Sequence, residues 1–348
     1  MINKITLLNF RKFSKQSFNI NSQFVIITGD NATGKTTLLE AIYAASVTKS
    51  LRTSNMNELI KENEEFNLVE IDADSKKYKF GLNNKTKTVS INNKEIKKIG
   101  DYIGNLPAVF FTPSELSLIT GAPLSRRLFL NIELSQLYPK YVVHLSNYNN
   151  ILKERNALLK SNKVNETYLN LITENLCIES LHIMKYRNGF IKEINSVINS
   201  VHKMFAANEE VKLEYLPSLP VNNTLSFMND KVSKDIQSQT TNYGIHRDDV
   251  LFKINDKDAK VYASQGQKRS VVLSLKITLV LLIQKLKKKY PILLLDDVLS
   301  ELDVTRQNNL LSIILSLGQT FISVTNVDLN DLEVLNNYQV IKLESELK

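Results

Sequence analysis

The sequence predicts an α/β fold, a head built on a mixed sheet with a helical lobe inserted into it, and three stretches carry that prediction. An apolar, β-rich run, Phe24-Val-Ile-Ile-Thr28, passes through the glycine-containing turn Gly29-Asp-Asn-Ala-Thr-Gly-Lys-Thr36 into a helix-like run, Thr37-Leu-Leu-Glu-Ala-Ile-Tyr43. Far along the chain, Pro291-Ile-Leu-Leu-Leu-Asp296-Asp297 is a short apolar strand that ends in two acids. Between them, from Thr112 to about His202, glycine is scarce and apolar residues recur at helical spacing.

The elements follow in order. Residues 1 to about 105 alternate β-like segments around the glycine turn, with a hairpin signal at Asn92-Asn93 between Val89-Ser-Ile91 and Glu95-Ile96. In the helical stretch, Tyr141, His144, Leu145, Tyr148, Ile151 and Leu152 make one face, and Ser161-Asn-Lys163 breaks two long helices. Val211 to Leu216 and Val250 to Ile254 read as strands, and a long helix-like stretch runs from Lys268 to Lys289. The expected division is residues 1–110 for the N-terminal part of the head, 111–205 for the helical lobe and 206–348 for the remainder of the head.

The glycine turn has the strand-before, helix-after context that a P-loop requires. Gly29 and Gly34 let the backbone fold with its N–H groups inward, and the helix N-terminus adds positive partial charge. Lys35 is a point charge for β- and γ-phosphates, and Thr36 offers a hydroxyl to Mg²⁺. Asp30, Asn31, Ala32 and Thr33 complete the cradle, and Thr37 follows it. The competing reading is a chance glycine turn with an exposed lysine. Asp296 at a strand end suits the remaining side of a Mg²⁺ shell, although an LLLDD run alone reads as a buried strand entering an acidic loop.

Ahead of the acidic strand lies Ala263-Ser-Gln-Gly-Gln267, one helix and a turn away. It resembles the LSGGQ signature of ABC-type ATPases, where a serine hydroxyl and glycine N–H groups bind a γ-phosphate; Ser264, Gly266 and Gln267 are its candidates here. As an isolated pentapeptide it reads as a capping turn with Ser264 near the N-cap. Ser300-Glu-Leu-Asp303 stands at the place of the D-loop. The ordered set implies an ABC-type P-loop ATPase head with a mixed sheet, plus an inserted helical lobe.

The match then narrows to a resemblance with the RecF family of bacterial recombination-repair ATPases, nearly end to end. Leu8-Asn-Phe-Arg-Lys-Phe13 is similar to LxNFRNY, Phe111-Thr-Pro-Ser-Glu-Leu116 to FSPEDL, and Gly121-Ala-Pro-Leu-Ser-Arg-Arg127 to GxPxxRR. Gly244-Ile-His-Arg-Asp-Asp249 resembles GPHRDD, while ASQGQKR from Ala263 and ILLLDDVLSELD from Ile292 are near-identical to the family forms. The chain departs at Ala32 (usually glycine), Thr37 (usually asparagine), Asn131 (usually aspartate) and Ile245 (usually proline). Of these, Ala32 touches phosphate binding.

The resemblance implies ATP and Mg²⁺ as cofactors and slow, DNA-stimulated ATP hydrolysis as a switch. It implies catalytic roles for Lys35, Asp297 and Ser264, with Asp297 polarising the attacking water unless it only caps the next turn. Arg11 would lie over the nucleotide, if it is not a plain surface arginine. The signature would act on the nucleotide of a facing copy, giving an ATP-dependent homodimer. Implied partners are double-stranded and single-strand-gapped DNA, with RecR and RecO, in support of recombinase loading. Arg126, Arg127, Lys153, Arg155, Lys49 and Arg52 are the candidate DNA contacts, and His246 to Asp249 either order the region beside the signature or take part in the chemistry.

Composition is consistent with this. A chain of 348 residues exceeds one typical core, and its formal net charge of +8 favours an anionic polymer as partner. The single cysteine, Cys177, excludes an internal disulfide and reads as a buried helix residue. No signal-like core opens the chain, and the apolar stretch Val271 to Ile283 is too short for a bilayer and is interrupted by Lys276, so the expectation is a cytoplasmic protein without a membrane partner. The helical insert is too short for an SMC-type coiled coil. A transporter subunit is the alternative function, but Thr320-Phe-Ile-Ser-Val324 runs into Thr325-Asn326 with no switch histidine. A catalytically silent DNA-binding protein is the third reading, disfavoured by the intact Lys35, Thr36, Asp296 and Asp297.

Overall fold

Two hairpin-rich strands open the chain, β1 (Ile2–Phe10) and β2 (Phe13–Asn19), joined across Arg11 and Lys12 with Arg11 at φ 49°. The computed structural model describes residues 1–84, 86–161, 163–299, 304–325 and 337–344. In chain order there follow β3 (Phe24–Thr28), α1 (Lys35–Val47), β4 (Phe66–Ala73), β5 (Lys76–Asn83), β6 (Lys87–Ile91), β7 (Lys94–Glu95), α2 (Ile99–Tyr102) and β8 (Ala108–Phe111). The middle of the chain holds α3 (Ser117–Thr120), α4 (Pro123–Leu137), α5 (Pro139–Leu159), α6 (Glu166–His202), β9 (Val211–Leu216), α7 (Thr224–Asp230), α8 (Val232–Ser238), β10 (Asp249–Ile254), β11 (Lys257–Asp258) and α9 (Ala259–Tyr262). It ends with α10 (Gln265–Lys287), β12 (Ile292–Asp296), α11 (Val304–Ile314), β13 (Thr320–Ser323) and β14 (Gln339–Lys342).

Contacts divide the chain into two units, Met1–Glu115 with Val272–Lys348, and Leu116–Val271. In the first unit the order β2-β1-β4-β5-β6-β7 makes an antiparallel sheet and β14-β3-β13-β12-β8 a parallel one, so the head's mixed character resides in two separate sheets. The hairpin at Asn92-Asn93 forms as its residues demand, with φ of 52° and 62°, and Asp74-Ser75 makes a second such turn. Helix α1 contacts strands of both sheets, and of its residues only Thr36 escapes burial, which is why its sequence is apolar on every side. Strands β3, β8, β12 and β13 are buried almost throughout, as parallel strands covered on both faces are.

The second unit packs α4, α5 and α6 with the three-stranded order β11-β10-β9. Pro123 and Pro139 sit in the first turns of α4 and α5, where a missing N–H costs nothing. Segment 206–271, placed with the head on sequence grounds, groups with these helices instead. The reason is local: Asn195 of α6 exchanges two hydrogen bonds with Leu213, and Asn199 accepts from the Val211 N–H at 2.7 Å.

Arginines hold this unit from inside. Fully buried Arg187 donates to Asp248 (2.6 Å), the Ile245 carbonyl (2.8 Å) and Asn131 Oδ1 (3.0 Å), so Asn131 keeps an acceptor where the family has aspartate. Arg155, equally buried, binds Asp235 at 2.8 Å, Thr173 and Thr241. Cys177 is buried in α6, and burial pushes its thiol up to about 11. Among the described residues no helix is long and apolar enough to cross a membrane; Lys276, which interrupts the apolar stretch, is buried against Glu115 in the first unit.

Candidate functional site

The parallel sheet brings three strand ends together. At the carboxyl end of β3 the chain enters the glycine turn, at the end of β12 stand Asp296 and Asp297, and β13 between them ends at Ser323. Carboxyl ends of parallel strands are where open α/β sheets bind ligands. Here they border a cleft of about 410 Å³ lined by the loop residues Asn31, Ala32, Gly34, Lys35, Thr36 and Thr37. Asp296, Asp297, Ser323 and Thr325 close it from the strand side, with Lys12 and Arg52 beside them.

The loop's shape requires its glycines. Gly29 has φ 146°, and a Cβ there would run into the carbonyl oxygen of Leu343; Gly34 has φ 107°, and its Cβ would meet Phe13 at 2.8 Å. Gly34 caps α1 without a side-chain bond to the first amides, leaving those donors facing the turn. Lys35 Nζ donates to the Gly29 carbonyl at 2.5 Å and the Asp30 carbonyl at 3.0 Å, while Thr33 folds its hydroxyl back to the Asp30 carbonyl at 2.8 Å. Gly29, Asp30 and Thr33 therefore form the back of the loop. Ala32 takes φ 65°, a conformation that costs a side chain roughly 1–2 kcal/mol. Its carbonyl is held by Lys12 Nζ at 2.7 Å.

Thr36 joins the two halves of the site. Its hydroxyl lies 2.9 Å from each oxygen of Asp296, across the whole length of the chain between them. Ser323 Oγ donates to Asp296 Oδ1 at 2.7 Å and accepts the Asp297 N–H at 3.0 Å, and the Thr325 hydroxyl reaches Asp297 Oδ1 at 3.4 Å. Asp297 takes φ 50°, a left-handed turn that carries it off the strand line and into the cleft. Burial raises the Asp296 pKa, and the Asp297 charge adds to this against the hydrogen bonds from Ser323 and Thr36. A carboxylate so burdened, beside a hydroxyl at a strand end, is an oxygen donor set that suits Mg²⁺.

Some expected site residues lie elsewhere. Arg11 does not line the cleft: Nε and Nη2 pair with the two oxygens of fully buried Glu40 at 2.5 and 2.9 Å. Arg52, expected among DNA contacts, lines the cleft and shares Glu40 at 3.2 Å, with Ser50 Oγ on the same carboxylate. Arg126 is buried with two of its nitrogens on Asp249 and the third on the Leu118 and Gly121 carbonyls, and Arg155 is buried on Asp235, so neither offers a surface charge. Arg127 donates to the Asp248 carbonyl at 2.9 Å, while Lys49 and Lys153 are exposed. Acids far away in sequence turn these arginines inward, which helical spacing alone does not reveal. Lys12, although inside the Leu8–Phe13 motif, was given no role on sequence grounds, nor were Ser323 and Thr325; a hydroxyl at the end of the strand beside an acidic one was the available signal.

The signature is in the second unit. Ser264 is exposed just before α10, its Oγ accepting the Gln267 N–H at 3.2 Å while Gln267 Oε1 accepts the Ser264 N–H at 2.8 Å, a reciprocal capping box. Gly266 lies in the first turn. The hydroxyl still has its proton to donate. In Gly244 to Asp249, Asp248 and Asp249 pair with Arg187 and Arg126, and His246 Nδ1 sits 2.6 Å from the Tyr148 hydroxyl. Burial lowers the His246 pKa. The D-loop run Ser300 to Asp303 lies outside the described residues.

Comparison with known proteins puts this site in context. Residues 1–345 match the family model described as RecF/RecN/SMC N terminal domain. The chain is 40% identical over 325 residues to the DNA replication and repair protein RecF of Acholeplasma laidlawii, covering 93% of each chain. It is 38% identical over 340 residues to the protein of that name from Streptococcus thermophilus, covering 94% of this chain and 93% of that one. Among solved structures, that of the recombination mediator protein RecF-ATPrS in the RecFOR pathway superposes with a TM-score of 0.88 at 31% identity, covering 99% of this chain and 97% of that chain. An SMC head domain bound to the C-winged helix domain of ScpA, at 15% identity and a TM-score of 0.51, shares the fold.

Proposed function

The chain belongs to the RecF family, and on that premise we propose that it binds and hydrolyses ATP in the cleft of its first unit and acts in DNA replication and repair. The observation that carries the reading is Thr36 on both oxygens of Asp296, a join between P-loop and acidic strand that serves no purpose in a chance glycine turn. Lys35 and the amides from Asn31 to Thr36 hold the phosphates. Thr36 and Asp296 would hold Mg²⁺, which would supply positive charge to the phosphates when bound. Asp297, turned into the cleft and braced by Ser323 and Thr325, orients the attacking water and takes its proton as water adds to the γ-phosphorus and ADP leaves.

Ser264, Gly266 and Gln267 dock onto the nucleotide of a second copy, so ATP makes a homodimer that clamps duplex or gapped DNA. Slow hydrolysis, stimulated by DNA, resets it. RecO and RecR act with the clamp in recombinase loading, in the cytoplasm. Two relatives are named as DNA replication and repair proteins, which disfavours a transporter subunit.

Molecular mass with and without ATP–Mg²⁺, repeated with gapped duplex DNA, tests the proposal. A doubling with ATP that persists on DNA is expected. A monomer under every condition overturns the clamp.

A further inference from the structure

The reciprocal cap at the start of α10 uses one end of the Gln267 amide; the other end is also engaged. Gln267 Nε2 donates to Glu209 Oε1 at 3.0 Å, and the second oxygen of Glu209 lies 3.1 Å from His202 Nε2. His202 is fully buried in the last turn of α6, whose neighbouring turns are stitched to β9 through Asn195 and Asn199. A line of hydrogen bonds thus runs from the end of the long helix to Ser264, within one unit.

The chemistry of an amide gives Glu209 a specific task. Half a turn about the Gln267 side chain would exchange its oxygen and nitrogen and set an N–H against the Ser264 N–H. An ionised carboxylate only accepts, so Glu209 holds the nitrogen towards itself and the oxygen towards Ser264. The Ser264 backbone and hydroxyl then keep the orientation of the cap.

We propose that Glu209 is a positioning residue for the signature serine, making contact with the second copy's γ-phosphate depend on the end of α6. The inference rests on the docking of Ser264 onto a facing nucleotide. It adds that this docking surface is set from behind, by a side chain that touches no nucleotide. Anything that shifts the last turns of α6 would then alter dimerisation without touching the P-loop.

The test compares Glu209→Ala, Glu209→Gln and Ser264→Arg in the full chain. ATP affinity of the monomer is read by titration, dimerisation by light scattering with ATP–Mg²⁺, and folding by thermal melting. Glu209→Ala loses its hydrogen bonds to Gln267 and to His202; it is expected to melt somewhat lower yet stay folded with its ATP affinity unchanged, while its dimer weakens about tenfold. Glu209→Gln keeps the shape but can present its NH2 as well as its oxygen, so it no longer fixes the Gln267 amide and is expected to recover only part of that loss; Ser264→Arg is expected to bind ATP without dimerising. A normal dimer from Glu209→Ala beside none from Ser264→Arg overturns the positioning role alone, as does a Glu209→Gln dimer as strong as the parent's. Normal dimers from both Glu209→Ala and Ser264→Arg overturn the sandwich, and the inference with it.

Discussion

Replacing Asp248 by asparagine removes one charge from a fully buried pair while preserving shape. Asp248 Oδ2 accepts Arg187 Nη1 at 2.6 Å and the Tyr215 hydroxyl, and Oδ1 accepts the Ser218 N–H at 2.8 Å. Asparagine keeps one oxygen and turns the other acceptor into a donor, and it leaves Arg187 charged in the interior. Removing one partner of a buried pair costs about 3–5 kcal/mol. Arg187 retains neutral acceptors in Asn131, the Ile245 carbonyl and the Tyr141 hydroxyl, which puts Asp248→Asn near the lower end, about 3 kcal/mol. For a unit of this size each kcal/mol moves the melting temperature by about 2–4 °C, so a fall of about 6–12 °C is expected. Differential scanning calorimetry reads it, with ATP titration below the transition as control, since Lys35, Thr36 and Asp296 belong to the other unit. A shift below about 2 °C would refute the reasoning, because Arg187 would then be compensated without its carboxylate.

Three further outcomes are expected. Lys35→Ala should weaken ATP binding at least about a hundredfold by titration calorimetry, since no other side chain of the loop supplies that charge; unchanged affinity would sink the P-loop assignment. Asp297→Asn should bind ATP and dimerise as the parent does but hydrolyse about 10²- to 10⁴-fold more slowly in a phosphate-release assay, and parental turnover would reduce Asp297 to a strand-end cap. Burial depresses the His246 pKa, so the unfolded chain binds that proton first; stability is full above the ordinary histidine pKa of 6.5 and declines as pH falls from there towards the depressed value. Melting temperatures of the parent should therefore drop more steeply between about pH 7 and about pH 5 than those of His246→Gln, and parallel curves would exclude the histidine as the cause.

What the sequence determined by itself is local. The strand–turn–helix of residues 24–47, the Asn92-Asn93 hairpin, the acid-tipped strand and the Ser264–Gln267 cap are each written in a few consecutive residues, so composition and spacing suffice to read them, although the ladder partners of β3 and β12 come from distant parts of the chain. Tertiary structure alone decided which charges are available. Arg126 and Arg155 look like surface charges on helices, and only folding brings Asp249 and Asp235 to neutralise them. Arg52, Ser323 and Thr325 entered the cleft the same way, the first beside Glu40 and the others by strand order rather than by any motif. An ion pair or a bordering strand depends on distance in space, and a sequence records only distance along the chain.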